Sequence, residues 1–374
     1  MPIELASDQL RAWFTLLRAP TLGAAALRGL IATHGDAVAA LAFAVRAPNL
    51  DGAVRDALTT PDAAALAQDF AWLEKPAHHF IPFSSADYPS LLRDAQNPPA
   101  ALFVVGDPTR LWLPQIAIVG ARNASNAGLT NAAAFARTFA QAGNAITSGL
   151  AEGVDGAAHA AALDAGGTTL AVLGTGPDIV YPRRHKALAQ RIAEGGALVT
   201  EFPPGTAGKP ENFPRRNRII AGLSLGTLVI EASLKSGSLI TARLAAEQGH
   251  EVFALPGSIH HPLARGCHKL IRDGAKLVET AEEVLEELRG VGALLAEGLR
   301  ERIAKADDAP GTAVGGHAGD PDYARLLGAL DTAPAALDEL VGRTALPAPA
   351  LSSMLLVLEL EGVVSAENGR YARR

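Results

Sequence analysis

Residues 115–128 read Gln-Ile-Ala-Ile-Val-Gly-Ala-Arg-Asn-Ala-Ser-Asn-Ala-Gly, and no other stretch narrows the possible folds as far. Ile116 to Val119 is a short β-branched run closed by Gly120, the pattern of a strand buried on both faces of a parallel sheet. Gly120 permits a sharp turn at the strand's carboxyl end, Asn123 to Asn126 supply capping side chains, and the spacing from Leu129 to Ala142 predicts a helix. A strand, a glycine turn and a helix N-terminus present several backbone N–H groups to one point, which attracts phosphate. Arg122 lies in this turn. Two readings are open for it: a bidentate contact to an anion, or a cap on a neighbouring carbonyl.

The same alternation continues to about residue 280. Ala145–Thr147, Leu170–Leu173, Ala197–Thr200, Leu228–Ile230, Val252–Leu255 and Lys276–Val278 are short apolar runs, most of them separated by helix-length segments. The expectation is an α/β fold, a doubly wound and mostly parallel sheet whose ligands bind beyond the carboxyl ends of its strands. Residues 1–75 read as helical, with Asp8–Leu17 and Ala24–Ala32 joined by a tight Pro20–Gly23 connection. Such a helix pair can contact nucleic-acid phosphates, but sparse Lys and Arg favour a packing module. Residues 76–110 are proline-rich and read as a wrapping segment, with Leu102–Gly106 as an edge strand. Residues 289–320 read as a linker. In residues 321–374, helices over Tyr323–Leu330, Ala335–Gly342 and Pro349–Leu360 precede a hairpin turning at Asn368-Gly369, which is a winged-helix pattern. Thr344 to Gly369 holds no Lys or Arg, so partner binding or packing is favoured there over groove reading.

Of the 374 residues 48% are apolar and 19% charged, which excludes a disordered chain. The formal charge of −6 by itself argues against an obvious nucleic-acid binder, yet Arg183 to Arg218 carries 8 Lys/Arg against 3 Asp/Glu, and a local basic patch is more informative than the total. The single cysteine, Cys267, forbids an intrachain disulfide and suits a reducing compartment. No signal pattern opens the chain and no apolar run reaches membrane-spanning length, so a soluble cytoplasmic protein is expected.

Three further stretches carry chemistry. In Ser148-Gly-Leu-Ala-Glu-Gly-Val-Asp155, Ser148, Gly149 and Gly153 suit a loop closing on phosphate. Asp155 and His159 share a helix face; an acid/base pair is one reading, and capping with loop support is favoured because no nucleophile is near. In Phe213-Pro-Arg-Arg-Asn-Arg-Ile-Ile220, cations suit phosphates and the ring suits a base face, with Tyr181-Pro-Arg183-Arg184 as a second basic turn. Glu231 and Ser236-Gly-Ser-Leu-Ile-Thr241 place hydroxyls and glycine at another helix start. His260, His261, Cys267 and His268 fit no familiar zinc spacing, and neither a P-loop nor a Gly-x-Gly-x-x-Gly fingerprint is present, so no metal and no cofactor are expected.

In this order, Val119-Gly-Ala-Arg122, Ser148–Asp155 with His159, Tyr181-Pro182, Phe213–Ile220, Glu231 with Ser236–Thr241, and Pro256-Gly257 through Gly266 resemble the DNA-processing protein A (DprA, also Smf) family over roughly residues 80–285. The resemblance implies an extended Rossmann-like core (residues 76–288) between a SAM- or helix-hairpin-helix-like helical domain (1–75) and, after the linker, a winged-helix domain (321–374). It implies a non-enzymatic homodimer that binds single-stranded DNA and helps load RecA during natural transformation. By that resemblance, Arg122, the Ser148–Gly153 loop, Phe213, Arg216 and Arg218 would line the DNA pocket; together with the turns and basic run read above, the candidate DNA-binding residues are Gly120, Arg122, Ser148, Gly149, Gly153, Arg183, Phe213, Arg216, Asn217, Arg218, Ser236, Gly237 and Ser238. Asp155, His159, Glu231 and Thr241 would support the loops. Two positions depart from the family's pattern, Ala121 where it usually has Ser and His250 where it usually has Arg, the latter making any phosphate contact there pH-dependent. The alternative is a nucleotide phosphoribohydrolase of the lonely-guy type. That family reads Pro-Gly-Gly-x-Gly-Thr-x-x-Glu where this chain has Ser236–Thr241, without the double glycine or the following Glu.

Overall fold

The structure is a computed structural model that describes residues 5–47, 51–290, 321–330, 335–344, 346, 351, 354–355, 358, 364–367 and 370–373. The chain divides into two compact units, Met1–Ala296 and Glu297–Arg374.

The first unit is built on a nine-stranded sheet. Strands β1 (His78–Pro82) and β2 (Ala101–Gly106) precede β3 (Gln115–Gly120), β4 (Ala145–Ser148), β5 (Thr169–Val172), β6 (Ala197–Thr200), β7 (Gly226–Ile230), β8 (Glu251–Ala254) and β9 (Lys276–Leu277). Their order across the sheet is β1-β2-β6-β5-β4-β3-β7-β8-β9, and β3 to β9 are mutually parallel where they pair. These strands are short continuous apolar runs because alternate residues feed two cores. Ile116, Ile118, Leu228 and Ile230 face one side, where α7 (Asn126–Gln141), α8 (Val154–Asp164) and α13 (residues 281–290) pack. Ala117, Val119 and Val229 face the other side, under α10 (Asn212–Leu223), α11 (Ser238–Glu247) and α12 (Ala264–Arg272). Strand order reverses at β3, which lies between β4 and β7. Helix α7 begins three residues before the Leu129 expected from spacing, because the Ser125 hydroxyl caps it by accepting from Gly128 N at 3.0 Å.

The proline-rich stretch before β3 departs from its expected form. Strand β2 is not an edge. It runs antiparallel to β6 on one side and to β1 on the other, and β1 forms the sheet's end. The prolines at 89, 98 and 99 lie in the turns around α6 (Ser90–Asp94), outside the ladder, so they do not constrain β2.

The described residues of 5–47 and 51–73 form five helices: α1 (Ser7–Arg18), α2 (Ala24–His34), α3 (Ala37–Arg46), α4 (Gly52–Thr59) and α5 (Ala63–Leu73). They have a core of their own around Trp13, Leu16, Leu27 and Ile31. They also lie on β1 and β2 through aromatic rings. Phe14 is 5.2 Å from Phe80 and 6.2 Å from Phe103, and Trp72 is 5.5 Å from Phe103. Helix α9 (Lys186–Gly195) covers β5 and β6 through Ala189 and Ile192.

In the second unit α14 (Pro321–Ala329) and α15 (Leu337–Thr344) share a core with Leu351, Leu355 and Val364. Its sheet joins β10 (Ala335–Ala336), β11 (Val364–Glu367) and β12 (Arg370–Arg373), with β12 in the middle. The spacing predicts Ala335 and Ala336 as the opening of the second helix. They instead pair with Tyr371 and Arg370, and the helix starts at Leu337. The 289–320 linker, apart from 289–290, and the Asn368-Gly369 turn lie outside the described residues.

Because the aromatic packing joins the helices to the sheet, the two should unfold together. Phe14→Ala is expected to cost about 3 kcal/mol or more, read as a lower denaturant midpoint for the transition of the whole first unit. Separate transitions for the helices and the sheet would contradict this packing.

Candidate nucleic-acid interface

A cleft of about 470 Å³ opens at the carboxyl ends of β3 and β7, where the strand order reverses. Its rim starts at Gly120, where a Cβ would collide with the Ile230 carbonyl and with Val154. The following turn is fixed from across the reversal. Glu231, directly after β7 at φ +52°, accepts Ser125 N at 2.8 Å and also takes the Ser125 hydroxyl. Arg122 is thereby left exposed at the lip, with its guanidinium carbon 5.7 Å from the centre of the Phe213 ring. It forms no ion pair among the described residues.

The floor is a buried cation. Arg216, on the inner face of α10, is 4% exposed and donates from Nη1 to Val172 O at 2.5 Å, while Nε has no partner among the described residues. Burial lowers its pKa to about 10; nearby Asp155 opposes that shift and Arg122 adds to it. Gly149 permits this approach, since a Cβ there would meet the guanidinium. Asp155 accepts Gly149 N at 3.1 Å and Ala151 N at 3.3 Å. Burial pushes its carboxyl above the ordinary range, offset by Arg216 and those N–H donors.

Two rings make one wall. Tyr181, 50% exposed, and Phe213 lie 5.3 Å apart at 47°. The start of α11 at Ser238 also lines the cleft, with the Ser236 and Ser238 hydroxyls 2.6 Å apart and Asn217 Nδ2 donating to Gly237 O at 3.3 Å. The cleft therefore combines a helix start, a buried guanidinium, an exposed guanidinium and two aromatic faces. It can hold a group that is planar at one end and anionic at the other.

The chain matches the profile of DNA recombination-mediator protein A over residues 79–289 and that of the DprA winged helix domain over 306–370. It is 44% identical to protein Smf of Escherichia coli over 310 residues, 83% of this chain and 81% of that one. The chain belongs to the DNA recombination-mediator protein A family. The crystal structure of DNA processing protein A from Streptococcus pneumoniae superimposes with a TM-score of 0.66 at 33% identity, covering 76% of this chain and 99% of that one. DNA processing protein A from Helicobacter pylori, whose structure describes its single-stranded DNA binding mode, gives a TM-score of 0.51 at 29% identity over 54% of this chain and 93% of that one.

The structure brings together Gly120, Arg122, Phe213, Arg216, Asn217, Ser236, Gly237 and Ser238, with Asp155 and Thr241, around this family member's cleft. Five of the expected binding residues sit elsewhere or act indirectly, Gly149 among them by making room for the Arg216 guanidinium. Arg218 is 8% exposed and forks onto Glu201 at 2.7 and 2.8 Å, while its Nε donates to Asn97 O at 2.9 Å. It is a tie within the core, because it points a helical step away from Arg216. The Ser148 hydroxyl is buried and donates to Ile118 O at 2.6 Å. Arg183 is exposed but does not line the cleft. Gly153, at φ +76°, shapes the loop by passing close to the Ala121 and Arg122 carbonyls.

The basic run is also less open than its composition suggests. Arg184, Arg191, Arg215 and Arg218 pair with Glu152, Asp164 and Glu201. His250 donates to Ala221 O at 3.1 Å and does not line the cleft, so no pH-dependent contact is placed there. Cys267 is buried with its thiol pushed up to about 11, and His268 Nε2 accepts Gly257 N at 3.3 Å. Among the described residues no group of three His, Cys, Asp or Glu side chains converges on a metal-sized space. Sequence reasoning left Tyr181 out of the site, although its pairing with Phe213 builds the wall.

Asp155 and His159 have separate partners. His159 donates from Nδ1 to Thr169 Oγ1 at 2.7 Å, the Thr169 hydroxyl donates to Ile146 O, and Nε2 has no partner among the described residues. Burial holds the ring neutral, with its pKa lowered to about 3 from 6.5 and the charges of His185 and Arg216 adding to the shift. Because the unfolded ring binds a proton first, its contribution is intact above pH 6.5 and is lost as pH falls toward 3. His78 and His250 shift the same way, while Asp69 and Asp155 oppose. His159→Asn keeps the Thr169 bond and removes the titration. The stability difference between wild type and this variant should shrink by about 1.4 kcal/mol per pH unit between pH 6 and 4, read by denaturant unfolding at each pH.

Proposed function

We propose that the cleft binds single-stranded DNA and that the protein is a recombination mediator that protects such strands and helps load RecA onto them during natural transformation. In this reading the protein works in the cytoplasm as a homodimer. The observation that carries it is the juxtaposition of the Tyr181–Phe213 ring pair with Arg122 at the lip and Arg216 on the floor. An exposed base offers its face only when the strand is unpaired, and stacking with phosphate neutralisation is tolerant of sequence. The family relationship and the Helicobacter pylori structure support the choice of strand. The chain's division into a helical N-terminal domain, a core, a linker and a winged-helix domain belongs to the same proposal. The absence of Lys and Arg from Thr344 to Gly369 supports a partner-binding role for the winged helix.

The test is fluorescence anisotropy of a labelled oligothymidylate against a duplex of equal length over a salt series. Tight binding that prefers the single strand is expected. Arg122→Ala removes an exposed side chain that makes no ion pair among the described residues. It should leave thermal stability unchanged, weaken binding, and flatten the plot of log affinity against log salt by about 0.7, the slope of one phosphate that is no longer neutralised. Equal affinity for duplex and single strand, or an unchanged slope in the variant, would contradict the proposal.

A further inference from the structure

The aromatic wall of the cleft stands on two loops that the core alone does not hold. Tyr181 ends the loop after β5, and Phe213 follows the loop from Glu201 to Glu211. The loops are tied to each other. Gly176 N donates to Thr206 O at 2.8 Å, and Gly205 N donates to both carboxylate oxygens of Asp178 at 2.8 and 3.1 Å. They also touch the rings. A Cβ on Gly174 would lie 2.8 Å from Phe213, and one on Gly208 would lie 3.7 Å from Phe213 and 4.0 Å from Tyr181.

The outer side of this double loop is gripped by the N-terminal helices. Arg18, the last residue of α1, forks onto Asp69 of α5 with Nε–Oδ2 and Nη2–Oδ1 both at 2.6 Å, and the same Nη2 donates to Pro204 O at 2.9 Å. Next to Asp69, Gln68 donates to Asp178 Oδ2 at 3.4 Å and packs over Gly205, whose φ is +78°. Asp69 is 0% exposed. An ion pair with its carboxylate buried and its guanidinium a quarter exposed contributes little net stability, since desolvation of the carboxylate offsets most of the attraction. What it does supply is a fixed geometry: the fork leaves one Arg18 N–H aimed at the Pro204 carbonyl.

We infer that Arg18, oriented by Asp69, is a positioning residue for the Tyr181–Phe213 wall, so that the N-terminal helices set how tightly the cleft grips a base. This rests on the reading of the cleft as a single-strand site. Arg18 touches neither ring and acts through the Pro203–Thr206 turn and the Asp178 loop.

The experiment uses the full chain and a labelled oligothymidylate. Arg18→Ala would leave Asp69 buried without a partner and risks unfolding, so the informative variant replaces both, Arg18→Met with Asp69→Leu. Apolar pairs of similar volume are tolerated at such sites. This variant should remain folded, with a cooperative unfolding transition, yet bind the strand about tenfold more weakly. Amide hydrogen exchange should quicken in residues 174–182 and 203–210 and stay unchanged in β3 and β7. In a Phe213→Ala background the same double replacement should cost nothing further, because the wall it positions is already gone. Full affinity in the folded double variant, or an equal loss in the Phe213→Ala background, would overturn the inference. A wild-type chain that does not bind the strand, or a Phe213→Ala chain that binds it undiminished, would instead overturn the cleft reading. The exchange rates of the two loops would then still decide whether Arg18 holds them.

Discussion

At the carboxyl ends of β3 and β7, two neighbouring parallel strands send their chains to opposite faces of the sheet, one toward α7 and the other toward α11. The crevice between these departures is the cleft. Its tolerances are set by atoms rather than by loops at large. Gly120 has no room for a side chain between Ile230 and Val154, and Glu231 reaches from the end of β7 to hold the Ser125 cap of α7. The anion-attracting groups converge because the α11 start and the Arg122 turn are both consequences of the same reversal.

The electrostatics follow from the packing of α10. Ile219, Ile220 and Leu223 seat that helix in the core, and this forces Arg216 beneath the cleft with almost no exposure to water. A cation held there costs free energy that Asp155 only partly offsets, and its Nε hydrogen finds no acceptor among the described residues. A neighbouring arginine, Arg218, meets the opposite circumstance. Glu201 satisfies it with two bonds, and it becomes part of the scaffold that ties α10 to Asn97.

The strands from β3 to β8 were legible in the sequence because they are buried on both faces and therefore read as short apolar runs. The glycines, the hydroxyls at helix starts and Glu231 were legible because local turn chemistry demands them. Legibility ended where a role depends on a distant partner. Arg218 resembles Arg216 until Glu201, 17 residues upstream, is brought beneath it. Tyr181 gains its role only when two loops meet, and β1 hides in His-His-Phe-Ile-Pro, which has no alternation to mark it. The N-terminal helices read as an independent module because nothing local reports that Phe14 rests on Phe80 and Phe103.

The central claim is that a single strand lies across the Tyr181–Phe213 wall, and photo-crosslinking tests it most directly. An oligothymidylate carrying 5-iododeoxyuridine would be irradiated with the full chain and the adducts located by peptide mass spectrometry. The account predicts adducts on Tyr181 or Phe213. Adducts confined to residues 1–75 or 321–374, with none on these two rings, would contradict it.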